Sequence, residues 1–250
     1  MSPAEPPRLR IAVGAGFMVG LLGVVAVWDV DTVATGGPSP ASGGPTTTTT
    51  GPPPQTDVAA ARAFLVAWEH SRSSTYAVTV DFERIVDDVG QLAATNRIAQ
   101  RPPDRLVIGS GSAHRRDATQ LEVCDLAGDG SLVCSPPEPA SPYSDEVAEA
   151  VAAVAVLVSD DPPEAIAPYA VAREGDDCFA LTLRIGLPAP PFGDRARFCF
   201  DGATGAMISS EIRRQGSRDV TVARELTAVV TDADLELPDR LDPPATDLER

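Results

Sequence analysis

From residue 57 onward the apolar positions change period several times, and each change predicts an element. Ala60, Phe64, Leu65 and Trp68 recur at helical spacing behind Asp57, a residue suited to cap a helix start. This predicts a helix over 57–73, with His70 near its C-terminal end. Tyr76, Val78, Val80 and Phe82 then alternate with Ala77, Thr79, Asp81 and Glu83, which predicts a strand with one wetter face. Residues 91–100 are expected to pair with it. Arg101-Pro102-Pro103-Asp104 turns the chain into a short strand at 105–109, and His114 is expected in the loop beyond it. Strands at 121–126 and 131–134 flank the turn Ala127-Gly128-Asp129-Gly130. A second helix is expected over 144–158, with Asp145 and Glu146 in its first turn, where the dipole favours acids. Its stretch 150–158 is apolar on every side yet too short to span a membrane, so it is buried or covers something apolar. Strands at 169–173, 178–185, 196–200, 207–214 and 219–230 follow, and the chain ends in a polar tail. This order predicts an α+β domain on one curved antiparallel sheet.

Ahead of that domain, residues 11–28 form an uncharged apolar run. At helical rise it reaches about 27 Å, close to the hydrocarbon thickness of a bilayer. Arg8 and Arg10 precede it, and Asp29 and Asp31 follow. The positive-inside rule then leaves 1–10 as a short cytoplasmic N-terminus and puts the rest outside. A cleaved signal peptide is the competing reading, but its apolar region is typically about 7–15 residues. Either way the domain is exported, and the anchored form makes it a single-pass protein of the cell membrane. Residues 29–56 are rich in Gly, Pro and Thr, with a Thr46–Thr50 run. They bury no apolar area and read as a disordered, semi-extended tether. The domain itself is expected over 57–238, with 239–250 as a flexible tail.

Charge narrows the partners. The 250 residues carry a net charge of −16, and every basic residue other than the two histidines is arginine. A broad nucleic-acid footprint is therefore not expected. Arg115-Arg116 and Arg213-Arg214 read as surface or sheet-edge pairs, with contact to lipid phosphate as the lesser reading. Four cysteines in an exported domain suggest two disulfides, for which three pairings exist. Cys124 and Cys134 are symmetric about Asp129, and Cys178 and Cys199 about the turn at Pro188 and Ala189. Each pair would therefore face itself across a hairpin, which favours Cys124–Cys134 and Cys178–Cys199. No G-x-S-x-G or H-E-x-x-H motif is present, and the two histidines, His70 and His114, are far apart. Asp232-Ala233-Asp234-Leu235-Glu236 lacks the glycine and the final glutamate of a calcium loop. Neither a catalytic residue nor a metal or other cofactor is expected.

Several short motifs together resemble the outer-membrane lipoprotein carrier superfamily of LolA-like and LppX-like half-barrels. They are the leading helix, the Tyr76–Arg84 strand, and Arg101-Pro102-Pro103-Asp104-Arg105-Leu106 entering a strand. Phe200-Asp201-Gly202-Ala203-Thr204-Gly205 before a long hairpin, and Thr231–Pro238 closing the domain, complete them. The resemblance implies an open half-barrel with helices on its concave face, binding lipid or lipidated protein without catalysis. It also implies that Val147, Val151, Val154, Leu157 and Val158 line the ligand from a plug helix. The anchor departs from the family pattern, because a tethered protein cannot ferry cargo across a wide envelope. Local capture, presentation or sensing is the expectation. The alternative is an envelope sensor that binds a protein partner with the same fold, as in RseB-like regulators of anti-sigma factors. The short cytoplasmic N-terminus counts against a sensor acting alone.

Overall fold

A computed structural model of the protein describes residues 56–87, 90–160 and 166–238. Helix α1 (Val58–Ser73) begins where the Asp57 carboxylate accepts from the amides of Ala59 and Ala60. Helix α2 (Tyr143–Val158) has no side-chain cap, but Asp145 and Glu146 occupy its first turn. The strands are β1 (Tyr76–Val86), β2 (Gly90–Arg101), β3 (Asp104–Ile108), β4 (Ser112–Arg116), β5 (Gln120–Leu126) and β6 (Leu132–Cys134). They continue as β7 (Glu138–Pro139), β8 (Tyr169–Arg173), β9 (Cys178–Leu183), β10 (Arg195–Phe200), β11 (Met207–Arg214) and β12 (Ser217–Thr227). These form one antiparallel sheet in the order β6-β5-β4-β3-β2-β1-β12-β11-β10-β9-β8, with β7 also on β5. The first and last strands of the path do not pair, so the sheet stays open.

The sheet has two halves, joined where β1 pairs β12. Residues that share one face follow from the register. One row runs Arg84, Asp219, Ile212, Ala196, Leu181, Val171 across β1, β12, β11, β10, β9 and β8. Another runs Tyr76, Gln100, Arg105, Arg116, Leu121 across β1 to β5. We call this side the inner face, because both helices lie on it. Phe64 and Trp68 of α1 enter the inner face among Phe179, Phe192, Phe198 and Phe200, with Val154 and Val158 of α2 in the same core. A smaller group of Tyr76, Val78, Val80 and Ala206 continues it onto β1. Gly205, at φ 72°, permits the close approach of α1 to the β10–β11 turn. A Cβ there would lie 2.7 Å from the His70 ring.

The structure corrects several details of the sequence reading. His114 lies on β4, not in a loop. Ser-Ala-His-Arg-Arg carries no strand period of its own, and β4 is sustained by pairing with β3 and β5 on either side. Strand β9 stops at Leu183, and β12 spans Ser217–Thr227 instead of 219–230. Ala77, expected on the wetter side, is buried with Ala99 and Val230, against Leu235. The chain after β12 folds back over the outer face there and ends in a 3-10 turn, Asp232–Leu235. Thr231 and Asp234 cap that turn reciprocally, so its acids do structural work instead of forming a calcium loop. Arg116 is buried, not a surface residue, and the partners of Arg115, Arg213 and Arg214 are Glu122, Glu211 and Asp219. Residues 11–28, 29–55 and 239–250, assigned above to an anchor, tether and tail, lie outside the described residues. Among the described residues, no helix is long and apolar enough to cross a membrane.

Both disulfides join the cysteines that the hairpin symmetry pairs. Cys124 faces Cys134, and Cys178 faces Cys199, with Cα separations of 3.9 and 4.1 Å. The second bond staples β9 to β10, the strands that carry Phe179, Phe198 and Phe200 of the aromatic cluster.

Two substitutions test this architecture. Phe64→Ala removes the fully buried ring at the centre of that cluster and is expected to lower stability by about 3–5 kcal/mol in urea unfolding. Arg116→Ala strands the half-buried Glu146 and unties the start of α2 from the sheet. It is expected to cost on the order of 3 kcal/mol and to make α2 the first site cut in limited proteolysis.

Candidate functional site

The inner face is chemically divided. Its β8–β10 half is aromatic and apolar. Phe64 lies with ring centroids 5.5 Å from Phe179 and 5.8 Å from both Phe198 and Trp68, and Phe192 stands 5.3 Å from Phe198. Tyr169 closes one side, where its hydroxyl donates to the Gly193 carbonyl and accepts from the Phe192 amide. Burial pushes this phenol up to about 12, so it stays a neutral donor.

Helix α2 covers this half with small side chains. Ala150, Val154 and Val158, spaced four apart, are buried, whereas Val147, Val151 and Leu157 are half-buried. Of the five residues expected to line a plug, Val154 and Val158 lie in the core, Val151 and Leu157 pack against it, and Val147 is half-buried nearer the start of the helix. The helix has no polar outer face along its second half, and Val156 is 74% exposed. Among the described residues, the helix's own polar ties are at its start. Arg116 Nε donates to Glu146 Oε2 at 2.7 Å, Arg116 stacks on the Tyr143 ring at 4.8 Å, and the Tyr143 hydroxyl donates to the Arg72 carbonyl. Arg116 also donates to the carbonyls of Pro103, Asp117 and Ser141. Helix α2 is pinned at Tyr143–Glu146, and two residues past Val158 the Asp160 carboxylate accepts from Arg184 at 3.1 Å and from the Ala167 amide at 2.7 Å, so apolar contact holds the stretch between two tied ends.

The β1–β4 half of the inner face carries a polar row beside Val78, Val80 and Ile98. Tyr76, Gln100 and Arg105 stand side by side in the register, and Arg72 reaches them from the last turn of α1. The Tyr76 hydroxyl and Gln100 Nε2 both donate to the Ser71 carbonyl, at 2.9 and 3.0 Å, and Gln100 also reaches the Ser74 carbonyl at 2.6 Å. These neutral donors satisfy the end of α1. Arg72 lies over the Trp68 ring at 5.5 Å and is pulled down to about 10, by burial first and then by Arg105. Burial raises Tyr76 and Tyr143, with Arg105 and Arg72 opposing. Burial lowers His114 on β4, which Asp125 opposes and Arg105 reinforces. Trp68 Nε1, Arg105 Nε and both amide atoms of Asn96 are buried without a hydrogen-bond partner.

Sequence reasoning missed this polar row. Arg72 and Arg105 lie inside elements that were expected, but a lone arginine in a strand reads as exposed until its face is known. The available signal was the alternation of Arg105 with Val107, two positions apart on one face. A metal centre gains no support from the potential ligands Glu122, Cys124 and Cys134, because both sulfurs are bonded to each other.

Comparison with protein-family models and with curated protein sequences finds no match. Among solved structures the chain is similar to a LolA superfamily protein from Nitrosomonas europaea, at 10% identity and a TM-score of 0.31, over 71% of this chain and 98% of that one. It is similar to lipoprotein LppX from Mycobacterium tuberculosis, at 10% identity and a TM-score of 0.34, over 70% and 99%. It is also similar to the complex structure of Pseudomonas aeruginosa MucA/MucB, at 17% identity and a TM-score of 0.40, over 72% and 61%. The chain thus spans less than two thirds of that last chain. The resemblance read from the sequence motifs and these solved structures name the same LolA-like and LppX-like fold, and the likeness is one of fold alone.

Proposed function

We propose that the protein is a membrane-anchored, extracytoplasmic module that takes an apolar ligand, lipid or the acyl part of a lipidated protein, on its inner face, without catalysis. The supporting observation is the makeup of α2. A helix whose second half is apolar on every side lies across an aromatic sheet face, with polar bonds at its two ends and small buried side chains between them. A hydrocarbon chain offers the aromatic half the same kind of contact that Val154 and Val158 supply, so displacing the helix exposes no aromatic surface to water. The ligand would lie under α2, against Phe192, Phe198 and their neighbours, and Val147, Val151 and Leu157 would line its margin. The apolar run at 11–28 would hold the domain near its supply of lipid.

The test is a photo-reactive fatty acid added to membranes that hold the full chain, followed by peptide mapping. Crosslinks are expected in α2 and in β10, in addition to any in 11–28, and Val151→Asp is expected to remove the first two with the fold intact by circular dichroism. Crosslinks confined to 11–28 would end the ligand-binding reading and direct the search to a protein partner.

A further inference from the structure

Elsewhere on the sheet, arginines face carboxylates. Arg84 and Arg214 share Asp219, Arg97 meets Asp234, and Arg116 meets Glu146. Arg72 and Arg105 do not. They are 5% and 9% exposed, and among the described residues neither has a carboxylate within ion-pair distance. Arg105 nevertheless lies near enough to lower Arg72. Glu146, the carboxylate whose charge acts on Arg72, is bonded to Arg116 and is the weakest of the influences on Arg72. The carbonyls at the end of α1 do not need these cations, because Tyr76, Gln100 and Tyr143 already donate to them. The unpartnered atoms beside the pair, Arg105 Nε and Trp68 Nε1, are both N–H donors. Two buried cations, one with an unpartnered Nε, and the Trp68 N–H share one deficiency, which is an acceptor with negative charge. In a chain of net charge −16 that deficiency does not reflect a shortage of acids.

We infer that Arg72 and Arg105 bind an oxyanion, the phosphate or carboxylate headgroup of an amphiphile whose chain lies on the adjoining aromatic half. This rests on the reading of α2 as a displaceable cover. Planar guanidiniums suit such oxyanions, since each offers a fork of donors. Trp68 and Arg72 mark the boundary between the two halves, with the Trp68 ring among the phenylalanines on one side and under the guanidinium on the other. The site therefore orients its ligand, head toward β3 and tail toward β10. Arg116 is not part of it, since all its donor nitrogens are engaged at the start of α2. Asn96 stands two inward positions from Gln100, about 13 Å along β2, and lies outside it as well.

The full chain in phosphatidylcholine nanodiscs, in phosphate-free buffer, is titrated by calorimetry with octyl phosphate, 1-octanol and inorganic phosphate, with empty nanodiscs as blank. Octyl phosphate is expected to bind at least about tenfold more tightly than octanol, as added charge-assisted hydrogen bonds require. Arg105→Gln and Arg72→Gln are expected to abolish that gap and leave octanol unchanged, whereas the exposed Arg62→Gln changes nothing. Without ligand, Arg105→Gln is expected to raise Tm, because one of two buried like charges is gone. A lower Tm marks the pair as structural and overturns the proposal. Equal affinity for octyl phosphate and octanol overturns the headgroup site and leaves the apolar reading standing. Inorganic phosphate binding that Arg105→Gln abolishes, with no gain from the octyl chain, upholds the oxyanion site and removes the amphiphile. Binding of none of the three overturns both readings.

Discussion

The structure depends on keeping water away from one face of an open sheet with the two α-helices found among the described residues. A closed barrel shares its interior among all its strands, but here the path from β6 to β8 leaves a long inner face to be covered. Phe64 meets most of that demand. It is fully buried, it touches Trp68, Phe179, Phe198 and Phe200, and it fixes α1 over β9 and β10. The Cys178–Cys199 bond lies in those same two strands, and Gly205 lets the end of α1 settle against the turn after them. Helix α2 covers what α1 leaves, and it does so with alanine and valine.

That division of labour explains why the inner face changes chemistry along its length. Where large rings project from both sheet and helix, the face is dry and apolar. Where α1 ends, its orphan carbonyls must be satisfied, and Tyr76 and Gln100 point inward to do so. Polar side chains on the inner face of β1 and β2 are thus a consequence of where α1 stops. Arg116 follows the same logic, since it ties the start of α2 and draws Glu146 and three carbonyls around itself. Arg72 and Arg105 stand apart because no such structural duty accounts for them.

Periodicity made most of this legible. The 3.6-residue repeat of Ala60, Phe64 and Trp68 and the two-residue repeat of Tyr76 to Phe82 located α1 and β1 nearly to the residue. The symmetry of each cysteine pair about its turn revealed both the pairing and the strand register, because directly opposed residues are the ones a hairpin bond can join. What stayed hidden depends on neighbours. Strand β4 has one apolar residue and exists because β3 and β5 supply its hydrogen bonds. Ala77 looked wet because the segment that covers it, around Val230 and Leu235, returns from the other end of the domain. The burial of Arg105 was not legible, because alternation says which residues share a face but not which face is covered. For the plug residues the pattern was more informative, since a helix apolar on all sides must meet something apolar on at least one.

The energetics of the two helices are unequal in a way that bears on function. Full burial of a valine is worth roughly 1.5–3 kcal/mol, so Val154 and Val158 together hold α2 by about 3–6 kcal/mol of apolar contact. At roughly 0.8 kcal/mol per buried methylene, an acyl segment of about four to eight carbons matches that. Helix α1 is different, since Phe64 and Trp68 bury much larger surfaces and each contacts several rings. A short hydrocarbon chain would therefore match the apolar contact of Val154 and Val158, leaving the polar ties at the two ends of α2 aside, and falls well below the contact that holds α1. An oxyanion at Arg72 and Arg105 adds to the ligand's side of that balance and nothing to the helix's, because α2 brings only Glu146 near those cations and Arg116 already occupies it. On the proposed reading, a neutral chain would compete with α2 for the aromatic face, and the charge on a headgroup would favour the ligand.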